Sequence, residues 1–157
     1  MKHKLVVANW KMNPQTYREA ERLLKSVLEY GGRDLVICPP FPWLTDFSHK
    51  HQEVSWGAQD VFYEKEGAYT GEVSVGMLKD AGVKYVIVGH SERRALGDTD
   101  EVVAKKLRVA LEGGLTPILC VGERERGSPS TSLRKEKEFV RKQLESAGRI
   151  VPAEILV

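Results

Sequence analysis

Cysteine is scarce in this 157-residue sequence. Only Cys38 and Cys120 occur, too few for a disulfide framework, so a reducing, cytoplasmic setting is expected. Long apolar runs are missing too: the longest, around Tyr85–Val88 and Pro117–Val121, reach about five residues against the roughly twenty that cross a bilayer. No membrane association is expected. Neither sign of charge prevails, since 24 Lys and Arg stand against 22 Asp and Glu for a formal net charge of +2. Non-specific attraction to nucleic acid or to an anionic membrane, which needs clustered and uncompensated cations, is therefore not expected. The basic pairs Lys105-Lys106 and Arg141-Lys142 lie among glutamates in helix-like stretches and read as solvated faces. Met1-Lys2-His3-Lys4 is basic but leads straight into a strand-like segment without an apolar stretch or cleavage site, so no secretory signal is read. Glycine-rich phosphate loops and a G-x-S-x-G nucleophile elbow are also missing. The histidines at 3, 49, 51 and 90 show no metal spacing with the cysteines, and His49 and His51 read as surface residues.

What is present is an alternation of two patterns. Short continuous apolar runs occur at Leu5–Ala8, Leu35–Cys38, Val54–Ala58, Tyr85–Val88 and Pro117–Val121, with a last one at Ile155–Val157. Continuous hydrophobicity, as opposed to alternation, predicts parallel strands covered on both faces. Between the runs lie amphipathic stretches with helix signals. Asn13-Pro14 offers an N-cap followed by proline at the first helical position, with Tyr17, Ala20, Leu24, Val27 and Leu28 on one face until Gly31-Gly32. Ser74 precedes a short helix ending at Ala81-Gly82. Thr99 or Asp100 opens another that carries Val103, Leu107, Ala110 and Leu111 on one side and stops at Gly113-Gly114. Ser130 to Ala147 is a long charged helix with Leu133, Val140 and Leu144 inward and Gly148 beyond.

Strand and helix thus alternate five times with a sixth strand begun, and no linker or composition shift divides them. Residues 1–157 read as one α/β domain of right-handed βαβ units. On this pattern alone a doubly wound open sheet is favoured over a (β/α)8 barrel, because five strands complete a flavodoxin-like sheet, whereas a barrel takes about 250 residues for eight units.

In such folds functional groups gather where strands give way to loops at their carboxyl ends. Three places qualify. Asn9-Trp10-Lys11 follows the first strand, Gly89-His90-Ser91-Glu92-Arg93-Arg94 the fourth, and Cys120-Val121-Gly122-Glu123 the fifth. Taken singly each has a plain structural reading: a solvated lysine, a serine N-cap with an acidic first turn, and a packed thiol beside a turn.

Taken together they read otherwise. Ala8-Asn9-Trp10-Lys11-Met12-Asn13, Gly57-Ala58-Gln59-Asp60, Gly67-Ala68-Tyr69-Thr70-Gly71-Glu72-Val73-Ser74, Val88-Gly89-His90-Ser91-Glu92-Arg93-Arg94 and Pro117-Ile118-Leu119-Cys120-Val121-Gly122-Glu123 closely resemble the triosephosphate isomerase family, in its order and at its spacing. The resemblance runs from Leu5 to Val157 and reverses the preference for an open sheet. It implies a TIM barrel, a (β/α)8 fold present here as five β/α units and the start of a sixth strand. It also implies interconversion of dihydroxyacetone phosphate and glyceraldehyde 3-phosphate through an enediolate, in glycolysis and gluconeogenesis, with no metal or organic cofactor.

By the same resemblance Lys11 holds the substrate's negative charge and Asn9 helps to place it, His90 polarises the carbonyl, and Ser91 and Glu92 support His90. Gln59, Tyr69, Thr70, Gly71 and Glu72 match a loop that enters the partner subunit of a homodimer beside its lysine, and Cys120 matches a thiol packed behind the catalytic carboxylate. A neutral electrophilic histidine is an attribute of this family, not a deduction from this chain. The placement adds a physical reason, since a helix capped by Ser91 directly after His90 would disfavour imidazolium. Lys11 at a strand end can neutralise enediolate charge without giving up a proton.

In the family the sixth strand leads into an Ala-Tyr-Glu-Pro stretch whose glutamate is the general base. This sequence stops at Ile155-Leu156-Val157, inside that strand, and Glu123 matches no base. The chain is therefore expected to be the N-terminal portion of a longer isomerase and inactive alone. The alternative is a short chain that acts as a non-catalytic assembly or complementing module.

Overall fold

The computed structural model describes residues 5–29, 34–122 and 132–148, with side chains from Glu136 to Ala147 in the last stretch. The features read at Met1–Lys4, Gly31-Gly32, Glu123, Ser130 and Ile155–Val157, and the side chain of Leu133, lie outside these residues. In chain order the elements are β1 (Val6–Asn9), α1 (Tyr17–Glu29), β2 (Leu35–Cys38), α2 (Phe41–Lys50), β3 (Ser55–Ala58), α3 (Val75–Asp80), β4 (Tyr85–Val88), α4 (Ser91–Ala95), α5 (Asp100–Glu112), β5 (Thr116–Leu119) and α6 (Ser132–Gly148).

All four strand pairings are parallel, and the strand order is β1-β2-β3-β4-β5. Among the described strands nothing turns back and no topological switch point occurs, so the doubly wound alternative fails. The five strands curl as an incomplete (β/α) barrel.

Both faces of the strands are covered, as continuous apolar runs require. Ile37, Trp56, Ala58, Val86 and Val88 pack into the main core with Leu24, Leu44, Phe47, Leu78, Val103 and Leu107 of the helices. Their strand neighbours Val36, Cys38 and Ile87 point the other way and form a second cluster with Val7, Tyr85 and Cys120. Period-two alternation has thus sorted one apolar run onto two sides of a sheet.

Several helix readings need correction. The first helix begins at Tyr17, not at Pro14: Thr16 and Glu19 form a capping box in which Thr16 N–H donates to Glu19 Oε2 at 3.2 Å and Glu19 N–H donates to Thr16 Oγ1 at 3.3 Å. Helix α2 adds an element that the sequence pattern does not announce, with Pro40 at its N-cap and Pro42 in its first turn. Proline is well tolerated in the first helical turn, where no N–H partner is needed. His49 lies exposed on α2, and His51 ends that helix half-buried with Nδ1 3.4 Å from Glu53. Ser74 and Thr99 do cap α3 and α5, accepting from the N–H groups of Met77 and Val102.

The largest misreading is Lys106. It is 2% exposed, on the same side of α5 as Val103, Leu107 and Ala110. Buried carboxylate partners, described below, outweigh the desolvation that normally sends a lysine to the surface.

Candidate active site

The carboxyl ends of β1, β3 and β4 open on a cleft of about 270 Å³. Asn9 ends β1, and two residues later Lys11 adopts φ 54°, a left-handed conformation that costs a residue with a Cβ about 1–2 kcal/mol. Hydrogen bonds hold it there from both sides. The Lys11 N–H donates to Asn9 Oδ1 at 2.9 Å, and the Lys11 carbonyl accepts from Gln59 Nε2 at 2.9 Å. That same Gln59 nitrogen donates to the Cys38 carbonyl at the end of β2, also at 2.9 Å. One side-chain amide thereby ties the loops after three strands together.

Across the cleft, Gly89 (φ 76°) turns the chain out of β4, and His90 follows. His90, not Ser91, is the N-cap of α4: its Nδ1 accepts from the Glu92 N–H at 3.2 Å. Ser91 is the first residue of the helix and is exposed. Helix α4 has only five residues, so its influence on His90 runs through this single N–H more than through a macrodipole. A ring whose Nδ1 accepts a hydrogen bond carries its proton on Nε2, the nitrogen left free as a donor.

Glu92 joins the two sides. Its Oε1 lies 2.8 Å from Lys11 Nζ and its Oε2 3.6 Å from His90 Nδ1, with the Lys11 and Glu92 side chains 53% and 56% exposed. The hydrogen bond from Lys11 is the main cause that holds the Glu92 carboxyl below the usual carboxylate range.

Beneath the cleft lies a charge network that the sequence reading did not anticipate. Lys106 Nζ donates to both oxygens of Asp60, at 2.8 and 2.9 Å, and to Asp98 Oδ2 at 2.8 Å. Arg93, which lines the cleft, brings Nε to 2.9 Å from Asp60 Oδ2 and Nη2 to 3.9 Å from Asp98 Oδ1. The Arg93 Nε contact is electrostatic, because it lacks the direction of a hydrogen bond. Arg94, next along, donates to the Gly89 carbonyl at 2.8 Å and to Asp100 at 2.6 Å.

The triosephosphate isomerase family model matches residues 4–155. The chain belongs to that family. The triosephosphate isomerase of Carboxydothermus hydrogenoformans is 46% identical over 137 residues, which is 81% of this chain and 55% of the relative. That of Dictyoglomus thermophilum is 46% identical over 147 residues, 87% of this chain and 59% of the relative, and that of Cupriavidus taiwanensis is 42% identical over 165 residues, 98% and 66%. The chain spans between half and two thirds of the length of these relatives.

Seen as a member of the triosephosphate isomerase family, the chain brings Asn9, Lys11, His90 and Glu92 into one cleft, with Ser91 exposed beside it. Tyr69, Thr70, Gly71 and Glu72 sit elsewhere, on an exposed loop steadied by stacking of Phe62 on Tyr63 and Tyr69 at centroid distances of 4.4 and 4.8 Å. Gln59, expected with them at a subunit interface, has its amide turned into the chain. Two cleft residues, Asp60 and Arg93, were not given roles although both lie inside the matching motifs. Their opposite charges, two and five residues past the ends of β3 and β4, were the available signal. No helix among the described residues is long and apolar enough to cross a membrane.

Proposed function

We propose that these residues supply the electrophilic half of a triosephosphate isomerase active site, acting on dihydroxyacetone phosphate and glyceraldehyde 3-phosphate in the cytoplasm. The observation that carries this reading is the chain of contacts Lys11, Glu92, His90: a cation and an imidazole share one cleft, linked by Glu92, whose carboxylate pairs with Lys11 and whose backbone N–H donates to His90 Nδ1. His90 Nε2–H donates to the substrate carbonyl, and negative charge gathers on that oxygen as a proton leaves the neighbouring carbon. The Lys11 ammonium compensates the enediolate through space, and Asn9 fixes the backbone from which Lys11 projects. Ser91 completes the polar rim beside His90.

Proton transfer between the two carbons needs a base. The cleft's two carboxylates are both engaged, Glu92 with Lys11 and Asp60 with Lys106 and Arg93. The base comes from outside the described residues. In the complete protein the loop Tyr69–Glu72 enters a second subunit, as the family resemblance implies.

The test is a coupled isomerase assay on the 157-residue chain, with and without a separately produced remainder of the barrel. Removal of a general base costs roughly 10²–10⁴ in rate, so the chain alone is expected to be inactive and the mixture active. Activity of the chain alone within about tenfold of an intact enzyme would assign the base to a residue of this chain and overturn the scheme.

A further inference from the structure

The buried ammonium of Lys106 lies under the cleft without touching it. It reaches two carboxylates that belong to different walls. Asp60 follows Gln59, whose amide holds the Lys11 carbonyl and the end of β2. Asp98 lies in the short connection from α4 to α5, the segment that fixes how α4 leaves the sheet, and its N–H also bonds back to the Arg93 carbonyl at 3.1 Å. Arg93 then returns from α4 to Asp60, one residue after Glu92 and three after His90. The four side chains carry two positive and two negative charges, so the set is neutral as a whole and unbalanced if any member is lost.

We propose that Lys106 is a positioning residue for the cleft, holding the Asn9-Lys11-Gln59 wall in register with the His90–Glu92 wall through Asp60 and Asp98. This deepens the isomerase reading and rests on it for its functional meaning, although the geometric coupling stands apart from any activity. Two walls linked only by the exposed Lys11–Glu92 pair would be weakly fixed, since an exposed pair is worth little. A lysine bonded to two buried carboxylates is far less free to move, because each partner left alone would be a desolvated charge. Misplacement by about 1 Å of a group that addresses a reacting atom can cost 10²-fold in rate, so the network has leverage on chemistry that it does not touch.

The experiment compares four forms of the full chain: the parent, Lys106→Met, Lys106→Arg, and a triple variant with Lys106→Met, Asp60→Asn and Asp98→Asn. Lys105→Met, on the exposed face of the same helix, is the control. The triple variant removes the three buried charges together and leaves Arg93, whose side chain is 38% exposed and can turn to water, so it tests the proposal even if the single variant fails to fold. Histidine-selective nitrogen-15 NMR reads the His90 ring, and amide exchange reads the Glu92 N–H that His90 accepts. In the triple variant the His90 Nδ1 signal should move away from that of a hydrogen-bond acceptor, and Glu92 amide exchange should accelerate at least about tenfold relative to Val36 and Ile37, a change of about 1.4 kcal/mol in local opening. Lys106→Arg should restore part of both signals, and Lys105→Met should change neither. An unchanged His90 ring and Glu92 amide in a folded triple variant overturns the proposal. With the remainder of the barrel supplied, kcat should fall in the triple variant while KM changes little. An absence of isomerase activity in every form, with the NMR changes present, would instead count against the isomerase reading and leave the positioning role standing.

Discussion

Gly82 and Gly89 offer a controlled measurement of how tightly the turn after β4 is packed. Their backbones are nearly the same, with φ 72° and 76°, so replacing either by alanine meets the same left-handed penalty of about 1–2 kcal/mol, partly offset by about 0.4–1 kcal/mol from the smaller freedom of the unfolded chain. Their surroundings differ completely. A Cβ on Gly82 meets nothing within 4 Å, whereas one on Gly89 sits 3.2 Å from each of Arg94 Nη2, the Cys120 carbonyl oxygen and Val103 Cγ1. The carbonyl is backbone, Val103 is core, and Arg94 is held by Gly89 O and Asp100, so none can retreat freely. Overpacking of this kind costs about 1–3 kcal/mol. Gly82→Ala should therefore destabilise by about 0–1.6 kcal/mol and Gly89→Ala by about 1–4.6 kcal/mol, a difference of about 1–3 kcal/mol or about 2–12 °C in melting temperature for a chain of this length. Circular dichroism melts and urea titrations of the two variants decide it. Equal melting temperatures, or a less stable Gly82→Ala, would refute the packing argument.

Lys11→Met should lower kcat by at least about 10²–10³, the scale of losing one electrostatic contact to a developing oxyanion, with the fold retained; retained activity in the complemented assay would remove Lys11 from its role. The Glu92 carboxyl should titrate below the ordinary glutamate value and return toward it in Lys11→Met, as read by carbon-13 NMR. Its folded value is depressed, so the stabilisation it contributes is present above the unfolded value and is lost as pH falls through the folded one. Burial, followed by the nearby Cys120, pushes the Cys38 thiol up from 9.0 to about 12, so Cys38 should resist thiol reagents at pH 8 until the chain unfolds. That raised value contributes stability that is fully present below pH 9 and fades as pH climbs toward 12, which a pH series of urea midpoints checks.

The strands were the most legible part of the sequence. The runs at Leu35–Cys38 and Tyr85–Val88 match β2 and β4 end to end, because a run of β-branched and aliphatic residues buried on both faces has few alternatives. Their order was not legible from periodicity, which fits a barrel and an open sheet equally, and only the motifs chose between them. Helix starts failed where the local chemistry was reciprocal: Thr16 and Glu19 cap each other three residues after the more conspicuous Asn13-Pro14. At the site, Lys11 and His90 were legible as polar residues at strand ends. Lys106 was not. A lysine next to Lys105 and among glutamates looks solvated, and nothing local reveals that Asp60, 46 residues away, will face it. The misassigned cap has a similar origin, since serine is the commoner N-cap and the imidazole of His90 took that place.

The strand order carries one more consequence. Because each strand pairs only with its neighbours in sequence, cohesion in this sheet is close to one-dimensional, as in a stack of repeats where every unit leans on the one before and the one after. Among the described residues β2, β3 and β4 have a neighbour on either hand, while β1 and β5 have one each. Val36, Val86 and Val88 are fully enclosed, yet Val6 on β1 is 59% exposed. Among these described strands β1, which carries Asn9 and leads to Lys11, is outermost, whereas β4, in which the His90 turn is rooted, has a strand on each side. The two sides of the cleft therefore differ in support among the described strands: His90 follows a strand paired on both sides, and Lys11 follows one that depends most on what is placed beside it.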